Sequence, residues 1–427
     1  SLERRAREQG RRARHHRTCA TMLELQHPGT ARPEVLERIA RHLREAGDEL
    51  DALDYLVRAA ARHLAQGEPQ RARSILDQRT EIVDRLGLPE GHLARAVGLP
   101  LVLQVHRELG QLDLGRAVGE QALVLASRHT WPHVHAYALL ELGLIDHVQG
   151  RAAQAWQRLC AAEAEAGALG DRELGTRCLL DQGRILSERG QLDAAADAIV
   201  RARAGYTDLQ QHYGVARADW LLARVAKQAG DLDETATRIN AALEGFDSIG
   251  ARAGVARCLN ELGELARLRG DLIAAEQHYR DALSRMEATG SESAVVVRVN
   301  LGLILQEHDR PLEARPVLER ALHAFSTSRR RAMMGVVQAA LLPCAAAEQD
   351  WTEWDTRLLA ARELLQTAAF VDLDVPRVLE RAATRAAAAG EADRAADALL
   401  LARAQWASLD RPDQVARLDG NLRGRSR

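Results

Sequence analysis

Small side chains returning every forty residues constrain this 427-residue chain more than any other feature. Gly110, Gly150, Gly190, Gly230 and Gly270 stand forty apart, and the register runs on through Asp309 and Gln349 to Gly390. Twelve residues after each marker there is an alanine: Ala122, Ala162, Ala202, Ala242, Ala282, Ala321, Ala361 and Ala402. A small residue also recurs five after the marker, at Ala155, Ala195, Thr235, Ala275 and Ala395. Another lies seven before it, at Gly143, Gly183, Ala223, Gly263, Gly302 and Ala383. A fixed period of this length marks a repeat architecture, in which each unit buries its apolar face only by stacking on its neighbours.

Each unit reads as helix, turn, helix. The marker glycine supplies the positive φ that follows a helix C-terminus, and an aspartate such as Asp231 or Asp271 caps the next helix. Glycine inside a helix costs about 1 kcal/mol relative to alanine, so Gly263, within CLNELGELARLRGDLIAAEQHYRDALSRM, has to answer a packing demand. A close crossing of two antiparallel helices supplies that demand, because a larger side chain would hold the axes apart. The run VVVRV at 295–299 is strand-like by propensity but falls on the first helix of its unit, and register outweighs local preference. The expected fold is all-α, a right-handed superhelical solenoid of antiparallel helix pairs. Residues 1–32 read as a basic helical lead-in, 33–91 as N-terminal helical half-repeats turning at Gly47 and Gly67, and 92–427 as eight repeats.

Composition bears on function mainly by exclusion. Net charge is -2 and aromatic content 3%, which gives no global case for nucleic acid or an anionic membrane surface. No apolar run approaches the roughly 18 residues of a membrane span. The single lysine, Lys227, lies in Ala226-Lys227-Gln228, so the chain has neither a phosphate-cradling Gly-Lys-Ser/Thr element nor a kinase lysine. HExxH, CxxC and GxSxG are all missing, and no catalytic residue or cofactor is expected. His129, His133, His135 and His147 have no cysteine or carboxylate close in sequence to complete a metal set, and read as a loop and helix-start cluster. Cys19, Cys160, Cys178, Cys258 and Cys344 read as buried reduced thiols of a cytoplasmic protein.

The small-residue signature over 92–427 resembles the tetratricopeptide repeat (TPR) family in a forty-residue form. The family's large aromatic position is mostly aliphatic here, with Leu159, Ile199, Ile239, Leu318, Leu358 and Leu399, and with Tyr279 as an exception. The N-terminal stretch RARHHRTCATMLELQHPG, followed by RPEVLERIARHLREAGDELDALDYLVRAA, is similar to the segment joining ATPase module to helical arm in STAND-class signalling ATPases. That likeness implies the C-terminal sensor or regulatory arm of a larger bacterial signalling protein, any ATPase or kinase activity lying outside this chain. The arginines Arg4, Arg5, Arg7, Arg11, Arg12, Arg14 and Arg17 then belong to a helix that docks on an upstream domain.

In the TPR family the concave wall, lined by the first helix of each unit, commonly binds peptides through positions 13, 10, 6 and 3 before the turn marker. Carried onto three central units, those offsets give Arg177, Leu180, Arg184 and Ser187, then Arg217, Trp220, Arg224 and Lys227, then Arg257, Asn260, Glu264 and Arg267. Seven of the twelve are basic, whereas Lys and Arg number only 58 of 427 overall. Guanidinium forks pair bidentately with carboxylates and Trp220 offers a stacking face, so the stripe suits a protein partner or an acidic peptide. The candidate ligand residues are Arg177, Arg184, Arg217, Trp220, Arg224, Lys227, Arg257, Asn260 and Arg267. Two readings stand beside this one. Asp181, Glu188, Glu261 and Glu264 lie within helical reach and would turn the stripe into ordinary ion pairs. The apolar flank around Tyr137, Leu140 and Leu144 would suit a small metabolite, as in a metabolite-sensing arm of a STAND-type transcriptional regulator or kinase. Trp351 and Trp354, in QDWTEWDT, read by default as core, with an exposed contact pair as the alternative.

Overall fold

The computed structural model describes residues 11–27, 32–288, 294–327, 330–368 and 372–425, and among them there are helices and turns but no strand. The chain divides into two compact units, Ser1–Ala251 and Arg252–Arg427. In the first, α1 (Arg11–Gln26), α2 (Pro33–Ala46), α3 (Glu49–Ala65), α4 (Pro69–Arg85), the single turn α5 (Leu93–Ala96) and α6 (Leu99–Glu108) lead into a regular run. That run is α7 (Leu112–His129), α8 (Pro132–Val148), α9 (Ala152–Leu169), α10 (Arg172–Glu188), α11 (Leu192–Asp208), α12 (His212–Ala229) and α13 (Leu232–Ser248). The second unit holds α14 (Arg252–Leu268), α15 (Leu272–Ala288), α16 (Ala294–Glu307), α17 (Pro311–Thr327), α18 (Arg331–Glu348), α19 (Trp351–Ala368), α20 (Asp374–Ala388), α21 (Ala392–Ser408) and α22 (Pro412–Arg425). Each unit is an all-α solenoid in which successive helices mostly pack on one another; in the second unit α20 packs on α18 rather than on α19. The stretch VVVRV lies inside α16.

The turn period is twenty residues, half the sequence period. Gly110, Gly150, Gly190, Gly230 and Gly270 take positive φ as expected, and so do the intervening Thr130, Gly170, Gln210 and Gly250. At Gly230 (φ 83°) the chain closes as a Schellman turn: Gly230 N–H donates to the Lys227 carbonyl at 3.1 Å and Asp231 N–H to the Ala226 carbonyl at 3.0 Å. Asp231 and Asp271 cap the following helices, accepting from Glu234 N at 2.9 Å and Ala274 N at 3.0 Å. Gln349 holds the same left-handed conformation at φ 55° without being glycine. Gln349→Gly should therefore raise stability by about 0.5–1 kcal/mol, the left-handed strain outweighing the backbone entropy that glycine adds to the unfolded chain. A thermal melt with an unchanged or lower midpoint would contradict that.

All eight marker alanines are fully buried on the second helices of their units. Gly263 presses on the second helix of its own unit: a Cβ placed there would lie 2.6 Å from Cε1 of Tyr279. Gly183 and Gly302 meet Ile199 and Leu318 in the same way.

Among the flagged side chains, Trp354 is fully buried and its neighbour Trp351 half-buried with Arg394 over its ring at 5.7 Å, so this pair packs and is not an exposed contact. Cys178, Cys258 and Cys344 are buried, but Cys19 is half-buried and Cys160 exposed, against expectation. Cys160 lies on the second helix of its unit, two residues before Ala162, and so on the opposite side of the helix from the crossing. In the lead-in, Arg12 and Arg17 pair at 2.6 Å with Glu45 and Asp48 of the next helix and its turn. Arg4, Arg5 and Arg7 lie outside the described residues.

Candidate functional site

In the first unit, the first helices α8, α10 and α12 stand in a row. Residues on adjacent first helices that face one another are forty apart, give or take one helical turn. Two carboxylates sit in that row with side chains only 1% exposed, Glu141 on α8 and Asp181 on α10. Glu141 accepts from Arg107 Nε at 3.1 Å on one side and from Arg177 on the other. Asp181 accepts from Arg217 Nη2 at 2.8 Å, with Arg184 Nε 3.8 Å away. Arg184 donates to Glu188 at 3.0 Å, and His147 meets that same carboxylate at 2.5 Å. The predicted arginines Arg177, Arg184 and Arg217 thus come together as rungs of an intramolecular ladder.

The electrostatics follow from burial and pairing. Burial alone works to weaken the Arg177 guanidinium as a cation, but Glu141 and Asp181 reverse this and its pKa rises. Burial likewise favours a neutral Asp181, yet Arg217, Arg184, Arg177 and Arg107 outweigh it and hold the carboxyl below its ordinary range. A buried carboxylate is stable here because each has guanidiniums on both sides.

Trp220 and Arg224 occupy the same face of α12, with the guanidinium 5.1 Å above the indole ring. Both are half-buried, as is Lys227 one turn on. Among the described residues no carboxylate pairs with Arg224, which separates it from the ladder arginines. The apolar flank is not open: Leu140 and Leu144 are buried against Leu159, Leu174, Cys178 and Ile185, with Tyr137 packed on them. The corresponding Val299 and Leu303 of the second unit are buried as well.

In the second unit, Asn260 accepts from Asn300 Nδ2 at 3.0 Å, forty residues on, and Arg257 is half-buried on the same helix. Arg267 is paired with Glu307 at 2.7 Å and Asp374 at 2.5 Å.

Of the buried carboxylates only Asp181 is named from the sequence, as a helical neighbour of the stripe; Glu141, Asp146 and Asp219 are not. Asp146 binds Arg116 and Arg158 of the flanking second helices at 2.5 and 2.7 Å, and Asp219 binds Arg203 and Arg238 at 2.8 and 3.2 Å. Glu141 to Arg177 and Asp181 to Arg217 are each 36 residues apart, one unit less one helical turn, a spacing that would have flagged them. The histidine cluster disperses into separate pairs, His133 with Asp171 at 3.3 Å and His135 with Glu165 at 2.9 Å. No group of three ligating side chains converges among the described residues. Burial pushes the thiols of Cys178 and Cys258 up to about 12, which keeps them protonated and poor nucleophiles. No described helix is long and apolar enough to cross a membrane.

Residues 214–288 match the tetratricopeptide repeat family. No curated protein sequence matches the chain. Among solved structures, a STAND protein with a tetratricopeptide repeat sensor from Pyrococcus horikoshii is similar at 13% identity and a TM-score of 0.58, over 90% of this chain and 55% of that one. This chain therefore spans about half of that protein's length. A Rap protein complexed with competence and sporulation factor aligns at 14% identity and TM-score 0.56, over 88% of this chain and 99% of that one. The quorum sensor NprR from B. thuringiensis aligns at 13% and 0.51, covering 82% and 98%. Identities this low speak for the fold alone. With its helix pairs, its buried alanine ladder and the match at 214–288, the chain is a TPR-like helical-repeat arm, similar in architecture to STAND sensor and Rap-type proteins.

Proposed function

We propose that this chain is a non-catalytic scaffold that binds a protein or acidic peptide, and that it serves in the cytoplasm as the sensor or regulatory arm of a larger bacterial signalling protein. The observation that carries the proposal is the Trp220–Arg224 pair. It presents a stacking surface and a guanidinium without a carboxylate partner, beside a ladder whose other arginines are already satisfied. A desolvated carboxylate there gains a bidentate guanidinium contact, and an apolar or aromatic neighbour gains the indole. Arg177, Arg184 and Arg217 then act as the rigid backing that fixes the face. In support, similar folds were solved with a bound factor or peptide: the Rap protein with competence and sporulation factor, and NprR with its cognate peptide NprX. Control of an upstream ATPase or kinase would follow from a partner favouring one arrangement of the arm.

Arg224→Glu tests this. In calorimetric titration of an acidic peptide library, the substitution should weaken the binders by about 100-fold or more, since it removes a charge-assisted contact and adds a repulsion. Its thermal midpoint should stay close to that of the parent. Unchanged affinity in the variant retires Arg224 as a ligand residue.

A further inference from the structure

In an open row of helix pairs each first helix keeps one face in solvent, and sequence neighbours supply its contacts. First helices in both units depart from this, beginning with α8 of the first, where the nine residues Ala138 to Asp146 are all buried. In α16 the six consecutive residues Leu301 to Gln306 are buried, and in α18 the eight from Ala339 to Ala346. Runs of that length go right round a helix, so all three are covered on every side.

In the second unit α20 packs on α18, and one contact skips two repeats. Arg267, at the end of α14, donates to both carboxylate oxygens of Asp374 at the start of α20, Nη1 at 2.9 Å and Nη2 at 2.5 Å, across 107 residues of sequence. The same guanidinium holds Glu307 of α16, Nη2 at 2.7 Å and Nε at 3.1 Å. A second bridge joins Arg385, near the other end of α20, to Asp309 in the turn after α16. Arg381 lies between the two bridges, half-buried within the field of Glu307 and Asp309. The Arg267 side chain is only 12% exposed, so the main bridge is poorly screened by salt. Elsewhere on this face, Asn300 to Asn260 and Gln306 to the Ala340 carbonyl join neighbouring first helices. The two bridges reach three and two repeats along.

We propose that Arg267–Asp374, with Arg385–Asp309 behind it, is a clasp: a two-position electrostatic latch that holds the first-helix face of the second unit shut and whose release opens it. The closed state is selected by charge pairing on top of apolar burial. This concerns the chain without any ligand and does not depend on the peptide reading.

Amide hydrogen exchange on the full chain tests it, read in the last turn of α14 and the first two turns of α20. Arg267→Glu and Asp374→Arg should each speed exchange there by about tenfold or more, while leaving α10 and α12 unchanged. Combining the two restores opposite charges in swapped positions and should bring exchange back to within about threefold of the parent. Restoration is the diagnostic result, because a merely structural role for either side chain would make the double variant worse than each single one. Equal exchange in parent and single variants, or a double variant as fast as the singles, overturns the clasp. Should Arg267→Glu fail to fold, Arg267→Gln combined with Arg385→Gln is read in the same way.

Discussion

Asp181→Ala should lower the unfolding free energy by about 2–4 kcal/mol, while Asp208→Ala costs less than about 1 kcal/mol. Both aspartates pair with arginine at 2.8 Å. What separates them is solvent. Arg172 and Asp208 are 66% and 61% exposed, and water replaces either partner with little change in free energy. Asp181 is 1% exposed, and removing it leaves the guanidiniums of Arg217 and Arg184 facing one another with Arg177 nearby and no carboxylate between them. The arginines keep part of their hydration, which sets the expected cost below the upper range for a fully buried pair. The effect has a definite pH dependence. The folded-state pKa of Asp181 is depressed below its ordinary 3.8, so its contribution is complete above that pH and is lost as pH falls through the lower folded value. The gap in urea midpoint between parent and Asp181→Ala, followed by circular dichroism, should hold constant at neutral pH and narrow below 3.8. A gap that persists undiminished in acid, or one no larger than that of Asp208→Ala, means the ladder is not what stabilises the row.

Much of this architecture could be read in the sequence, and the reason is geometric. Two helices crossing at close range demand a small residue at the crossing, the crossing recurs once per unit, and Gly143, Gly183, Gly263 and Gly302 record it. The second turn of each unit was harder to see because Thr130 and Gln210 hold a left-handed conformation that usually calls for glycine. The surrounding packing imposes the strain of about 1–2 kcal/mol. The candidate site was partly legible for a similar reason. Offsets within a helix place Arg177, Arg217 and Arg224 on one face, but they say nothing about what a neighbouring unit sets opposite. Glu141 neutralises Arg177 from 36 residues away, and only the lateral stacking of units makes them neighbours. The clasp is further from reach still. Its span of 107 residues is set by how tightly the second unit curls, which depends on the summed volumes of many side chains and on no single pattern.

Gly263, a glycine inside a helix, is the site of the other large effect. Gly263→Leu should cost about 3 kcal/mol or more, and Gly263→Ala about 1–2 kcal/mol, although both substitutions raise helix propensity by nearly 1 kcal/mol. The obstacle is Tyr279. A Cβ at 263 falls 2.6 and 2.8 Å from Cε1 and Cδ1 of that ring and 2.9 Å from Cζ. The ring cannot swing away, because it is fully buried and its hydroxyl donates to Glu264 at 2.9 Å. The other repeats point to a cure. At the equivalent pair of positions, sixteen residues apart, two units carry alanine with an aliphatic partner, Ala223 with Ile239 and Ala383 with Leu399, and all four are buried. Tyr279→Leu should therefore make room for Gly263→Ala. On its own Tyr279→Leu leaves a cavity and costs about 1–3 kcal/mol, but in the double variant the new methyl group fills part of that space and the clash is gone. The double-mutant cycle, measured by urea denaturation, should show a favourable coupling of about 1–2 kcal/mol between the two sites. Additive costs would mean that the helix pair adjusts its separation to the added methyl, and that the small-residue register reflects something other than the closeness of the crossing.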